Sequence, residues 1–163
     1  GAHYNPAVTL AAFLRGRCDK GDVVPYWAAQ FAAGLVAALL VNYILQGRVD
    51  PAVVGRHPTI GSFIVEFLFT FALAWTVLNV ATTKATMGNS FYGLAIGFTV
   101  VVGAFAGGST SGGAFNPAVG IGPTLVHGLM GGGSFANLWY YLVGPLLGGW
   151  LAALVFKAQE QQS

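Results

Sequence analysis

Gly1-Ala2-His3-Tyr4-Asn5-Pro6-Ala7-Val8 and Gly113-Ala114-Phe115-Asn116-Pro117-Ala118-Val119 set the same tripeptide, Asn-Pro-Ala, in matching surroundings. One such tripeptide means little, because three small residues recur by chance. Two copies with similar flanks, separated by long apolar sequence, form an internal repeat. Repeats of this sort belong to channels and transporters that build one site from two half-elements meeting inside a bilayer.

Each copy opens a short apolar run, Asn5 to Leu14 and Asn116 to Val126. About ten residues at 1.5 Å per residue reach only about halfway across a hydrocarbon core of about 30 Å. The runs predict half-helices. Asn5 and Asn116 are their N-caps. Pro6-Ala7 and Pro117-Ala118 are the first helical positions, where the missing proline N–H costs nothing. Four longer apolar stretches, 23–45, 59–80, 90–107 and 137–156, each suffice to span the membrane. The expected fold is an all-α membrane protein, one transmembrane channel domain over 1–163.

Composition agrees. Hydrophobic residues make up 55% and charged residues 7%, against about 25% charged in a soluble domain, and mean hydropathy is +0.68. A net charge of +2 is too small and dispersed for a nucleic-acid surface. The single Cys18 excludes an internal disulfide framework. Arg15, Arg17, Lys20, Lys84 and Lys157 fall on one side of alternating spans, Arg48 and Arg56 on the other. The larger group is assigned to the cytoplasm.

Between the third span and the second half-helix, Gly107 to Gly113 reads as an extended stretch. Backbone carbonyls of Gly108, Ser109, Thr110, Ser111 and Gly112 are then expected to line a pore as acceptors. Backbone at membrane depth is tolerated where it lines a wet cavity. Two half-helix N-termini meeting at the midplane aim positive dipole ends and the Asn5 and Asn116 amides at the passing solute. Neutral solutes accept those donors, whereas cations and protons meet a barrier. Glu66, the lone charge between Thr59 and Thr83, is costly unless hydrogen-bonded. We read it as bracing the glycine-rich loop rather than relaying protons. His3 is likewise read as loop-bracing, since no partner ligand lies at useful spacing for a metal. The tryptophans, with Tyr26 and Tyr140, read as interfacial anchors. No metal or cofactor is expected.

These motifs resemble the major intrinsic protein family, the aquaporins and aquaglyceroporins, over nearly the whole chain. The runs His3 to Leu10 and Gly113 to Ala118, followed by Gly122-Pro123, are similar to the family's two signatures. Gln30, Glu66, Gly144-Pro145 and Gly148-Gly149 support the match. The resemblance implies an inverted-repeat bundle, here four spans and two re-entrant half-helices. It also implies a homotetramer, and a fragment lacking the first two spans. By the same resemblance, Ala104, Gly113 and Val119 hold the selectivity-filter positions. Water-selective relatives place an arginine where Val119 stands, and histidine is common where Ala104 stands. A valine there is similar to plant vacuolar aquaporins that admit urea or hydrogen peroxide. Losing a guanidinium removes a steric plug and a cation barrier.

The expected function is a passive channel for water and other small uncharged solutes such as urea, hydrogen peroxide, ammonia or glycerol. The expected setting is the plasma (inner) membrane. An ion-coupled transporter with discontinuous helices is the rival, and it would need more midplane charge than Glu66. A non-conducting truncated subunit is the other. An enzyme is not expected, because Cys18 and three scattered histidines supply neither a nucleophile–base pair nor a metal cluster.

Overall fold

A computed structural model describes residues 1–47, 59–130 and 133–160. Its helices run α1 (Pro6–Leu14), α2 (Lys20–Ile44), α3 (Thr59–Thr82), α4 (Tyr92–Ser111), α5 (Pro117–Leu129) and α6 (Leu138–Glu160), with a 3₁₀ turn at Phe135–Asn137 before α6. Four of them are long and apolar enough to cross a membrane; α1 and α5 are the half-helices. Arg48, Arg56 and His57 lie outside the described residues.

Local chemistry sets the half-helix starts. Asn5 and Asn116 have extended backbones, φ −151° and −158°, and their side chains accept from the amides of Ala7 and Ala118. Each proline follows at the first helical position, where its missing N–H leaves no unmet donor and its fixed φ suits the helix. The chain leaves α1 through Gly16 at φ 77°, a conformation that costs glycine little.

Packing repeats the sequence repeat. α1 lies on α6 and α5 lies on α2, while α3 packs along α6 and α4. Each half-helix is thus held by the last span of the other half of the chain. Small residues permit the approach: a Cβ added to Gly34 would lie 2.5 Å from the Ala118 carbonyl oxygen, and one added to Gly149 2.5 Å from that of Ala7. Ala7 and Ala118 are the third residues of the two tripeptides. The core beside α1 is formed by Ala11, Ala74, Leu78, Ala152, Ala153 and Phe156. Outward-facing Leu40, Ile44, Leu94, Phe98 and Phe105 are exposed, the exterior expected of a body solvated by lipid.

One face carries Arg15 and Arg17. Arg15 pairs with Glu160 and lies over the Phe156 ring, 4.9 Å from its centroid. Arg17 donates to the Thr82 carbonyl at 3.3 Å. The ends of α1, α3 and α6 therefore share this face.

The glycine-rich segment departs from the expectation. Gly108, Ser109, Thr110 and Ser111 are helical, the last turns of α4, and only Gly112 leaves the helix, at φ 90°. A helix satisfies its own backbone groups, which an extended strand in an apolar bundle would not. The glycines serve packing instead: a Cβ on Gly107 would fall 2.5 Å from the Val65 side chain. The aromatic reading is corrected at two positions only, since Trp75, Trp139 and Trp150 are exposed. Tyr140 is fully buried, and Trp27 is tied inward, its indole N–H donating to the Pro6 carbonyl at 3.0 Å.

Candidate functional site: paired asparagines at a half-pore

The two tripeptides meet, and they do so by crossing. The Asn5 amide Nδ2 donates to the Phe115 carbonyl at 2.8 Å, and the Asn116 Nδ2 donates to the Tyr4 carbonyl at 2.9 Å. Each Oδ1 is occupied by its own helix cap, 2.9 Å from the Ala7 amide and 3.0 Å from that of Ala118. An asparagine amide has two N–H bonds, so one on each residue remains for a solute. The carbonyls reach across because Tyr4 and Phe115 adopt left-handed backbones, φ 53° and 47°. That conformation costs non-glycine residues roughly 1–2 kcal/mol each, offset here by a pair of long-range hydrogen bonds.

Glu66 holds the second motif in place. Completely buried, it accepts from Ser111 Oγ at 2.7 Å, the Ala114 amide at 3.0 Å and the Phe115 amide at 2.6 Å. Ser111 Oγ in turn accepts from the Gly113 amide at 3.1 Å. The Tyr141 hydroxyl donates to the Ser111 carbonyl, and Ser62 Oγ donates to the Thr110 carbonyl at 3.1 Å. The Gly108 carbonyl accepts from the Gly112 amide. Carbonyls of Gly108, Thr110 and Ser111 are thus committed, and the proposed acceptor row over Gly108–Gly112 is not formed as expected. Among the described residues no protein donor meets the carbonyls of Gly112, Gly113 or Ala114.

The first motif is braced from α2. His3 stacks on Tyr26, with centroids 4.7 Å apart, and its Nδ1 lies 3.1 Å from Thr9 Oγ1. Gln30 donates to the same hydroxyl at 3.0 Å. The side-chain bracing by Thr9, Gln30, Ser111 and Ser62 was not legible in the sequence, because single hydroxyls and amides in apolar helices carry no spacing signal.

From the asparagines a cavity of about 970 Å³ opens toward the basic face. His3, Tyr4, Asn5 and Asn116 form its inner end. Leu73, Val77, Ile96 and Val100 give an apolar wall, and Arg17 stands at the mouth with Thr86 and Asn89. Ala104, Gly113 and Val119 are not among its lining residues. They lie toward the opposite face, where α4 ends and α5 leads away from the asparagines. Val119 is 46% exposed. No group of three potential metal ligands occurs among the described residues.

Two half-helices crossing at paired asparagines within an apolar four-span bundle define an integral membrane protein of channel architecture. The chain belongs to the major intrinsic protein family, whose model matches residues 1–156. It is 36% identical over 162 residues to Aquaporin TIP1-1 of Arabidopsis thaliana, covering 96% of this chain and 62% of that protein. To Aquaporin TIP2-1 of Zea mays it is 39% identical over 160 residues, covering 96% and 61%. The fold is similar to the aquaglyceroporin from Plasmodium falciparum, with TM-score 0.79 and 21% identity over 96% of this chain and 72% of that one. This chain spans about 62% of the length of curated relatives such as the first of these.

Proposed function

We propose that the protein forms a passive channel for water and other small uncharged solutes. The observation that carries this reading is the reciprocal crossing of Asn5 and Asn116. It fixes one N–H of each amide and leaves the other at the inner end of a cavity with an apolar wall of Leu73, Val77, Ile96 and Val100. A solute that accepts hydrogen bonds can shed part of its hydration there. A cation, which cannot accept, faces two half-helix N-termini. Carbonyls of Gly112, Gly113 and Ala114 supply acceptors on the far side, and Ala104, Gly113 and Val119 form an arginine-free filter that admits urea or glycerol besides water. Glu66 and His3 brace the two loops. The reading extends to a homotetramer with one pore per subunit, to be checked by the mass of the detergent-solubilised assembly.

The transporter reading is disfavoured by Glu66 itself, since both of its oxygens are engaged by Ser111, Ala114 and Phe115. No other carboxylate lies among the described residues of α3 to α5. The test is osmotic shrinkage of proteoliposomes holding the natural full-length protein. Water flux well above empty liposomes, unaffected by collapsing ion gradients, is expected. Flux that requires a sodium or proton gradient restores the transporter.

A further inference from the structure

The turn that ends half-helix α1 delivers a charge to the cavity. Gly16 donates its amide to the Phe13 carbonyl at 2.9 Å, and Arg17 donates its own to the Ala12 carbonyl at 2.8 Å. With Gly16 at φ 77°, these two bonds form a Schellman motif, which satisfies the last carbonyls of a helix and fixes the residues just beyond it. The backbone of Arg17 is thereby tied to the half-helix that Asn5 begins. At the other end of the side chain, Nη2 donates to the Thr82 carbonyl at 3.3 Å. Thr82 is the last residue of α3, where unmet carbonyls and the helix dipole favour a cation. Nearby carbonyls of α3 are already engaged, that of Asn79 by Thr83 and Thr86 and that of Val80 by Asn89.

Arg17 lines the cavity whose inner end holds Asn5 and Asn116. Among the described lining residues it carries the one permanently charged side chain, and no carboxylate stands with it. Asp19 and Asp22 are near in sequence but do not line the cavity. No ion pair joins Arg17 to a carboxylate among the described residues. The wall between mouth and asparagines is apolar, and a low-dielectric wall concentrates the field of a charge along the cavity. We propose that Arg17 is a specificity-determining residue whose fixed charge holds cations out of the basic-face entrance while uncharged solutes pass. The inference rests on the channel reading above, in which Val119 leaves the filter at the opposite entrance without a guanidinium. The cation barrier then begins at Arg17, ahead of the two half-helix N-termini.

The test reads the potential inside the cavity. Val77→Cys, on the apolar wall, is made in the natural full-length protein with Cys18 and any other cysteine replaced by serine. The new thiol is modified with cationic, anionic and neutral methanethiosulfonates, each rate normalised to that of a free thiol. The anionic reagent is expected to outpace the cationic one, and Arg17→Gln to lower that ratio about threefold or more with the neutral rate unchanged. Arg17→Lys should restore the ratio, because charge rather than the bond to Thr82 sets it. An unchanged ratio in Arg17→Gln, or no recovery with lysine, overturns the proposal. A neutral rate that shifts along with the ratio also overturns it, as the mark of a merely structural role. The parent with Arg17 intact judges the same claim without relying on the folding of Arg17→Gln. Raising salt from about 0.01 M to about 1 M shortens the screening length from about 30 Å to about 3 Å, so its ratio should fall toward unity. A salt-independent ratio overturns the proposal. Absence of water flux in proteoliposomes rejects the channel reading instead, while the modification rates still report on Arg17.

Discussion

Asn5 donates across the molecule to the carbonyl of Phe115, 110 positions further along the chain, and the same bond recurs with the halves exchanged between Asn116 and Tyr4. The site is therefore a property of the repeat, and neither half could form it alone. Replacing Asn116 by Asp keeps the oxygen that caps Ala118 but removes the donor to Tyr4 and the one left for a solute. It also places a carboxylate between two helix N-termini, lowering the cation barrier. The expected result is reduced water flux with a measurable cation leak, read by stopped flow and a potential-sensitive dye. Asn5→Asp should behave alike.

The close approach of α6 to α1 predicts a mutational sign. A methyl at Gly149 would sit 2.5 Å from the Ala7 carbonyl oxygen, where only backbone could yield. Gly149→Ala should destabilise the folded protein by about 1–3 kcal/mol. At Gly61 the nearest atom would be Thr110 Cγ2 at 3.8 Å, so Gly61→Ala should be neutral or stabilising by up to about 1 kcal/mol through helix propensity. Thermal unfolding in detergent compares the two directly.

Glu66→Gln turns one acceptor of the buried bracket into an N–H₂ group facing donors. Leaving buried amides of the Ala114–Phe115 segment unpaired costs about 1–3 kcal/mol. The variant should unfold at lower temperature and lose flux together, because the Phe115 carbonyl that Asn5 uses is set by this segment. Unchanged stability would show that the bracket is not what shapes the loop.

Tyr141→Phe removes the hydroxyl that meets the Ser111 carbonyl at the end of α4. Since Tyr141 is fully buried, no water replaces the bond easily, and a loss of about 1–3 kcal/mol is expected in the same unfolding assay.

The fold was largely legible in the chain because its constraints are local. Asn-Pro at a half-helix start, span length and the asymmetry of Arg15, Arg17 and Lys84 each follow from elementary rules of capping and membrane solvation. Glu66 announced itself as a lone charge in an apolar span. The end of α4 did not follow from composition. Glycine-rich sequence suggested an extended stretch over Gly108 to Gly112, but close packing of Gly107 against Val65 and Phe69 keeps the helix intact to Ser111. Tyr140 and Trp27 misled for a similar reason, since aromatics near span ends serve the core when a half-helix packs beside them. The left-handed backbones of Tyr4 and Phe115 were invisible, because neither residue favours that conformation. Only the partner half imposes it.

The most direct test of the account compares water, urea and glycerol fluxes in proteoliposomes of the natural full-length protein with those of Val119→Arg. Fast entry of urea or glycerol that the arginine abolishes, with water flux retained, is the predicted result. Fast water flux with no solute entry in either protein would contradict the wide, arginine-free filter assigned to Ala104, Gly113 and Val119.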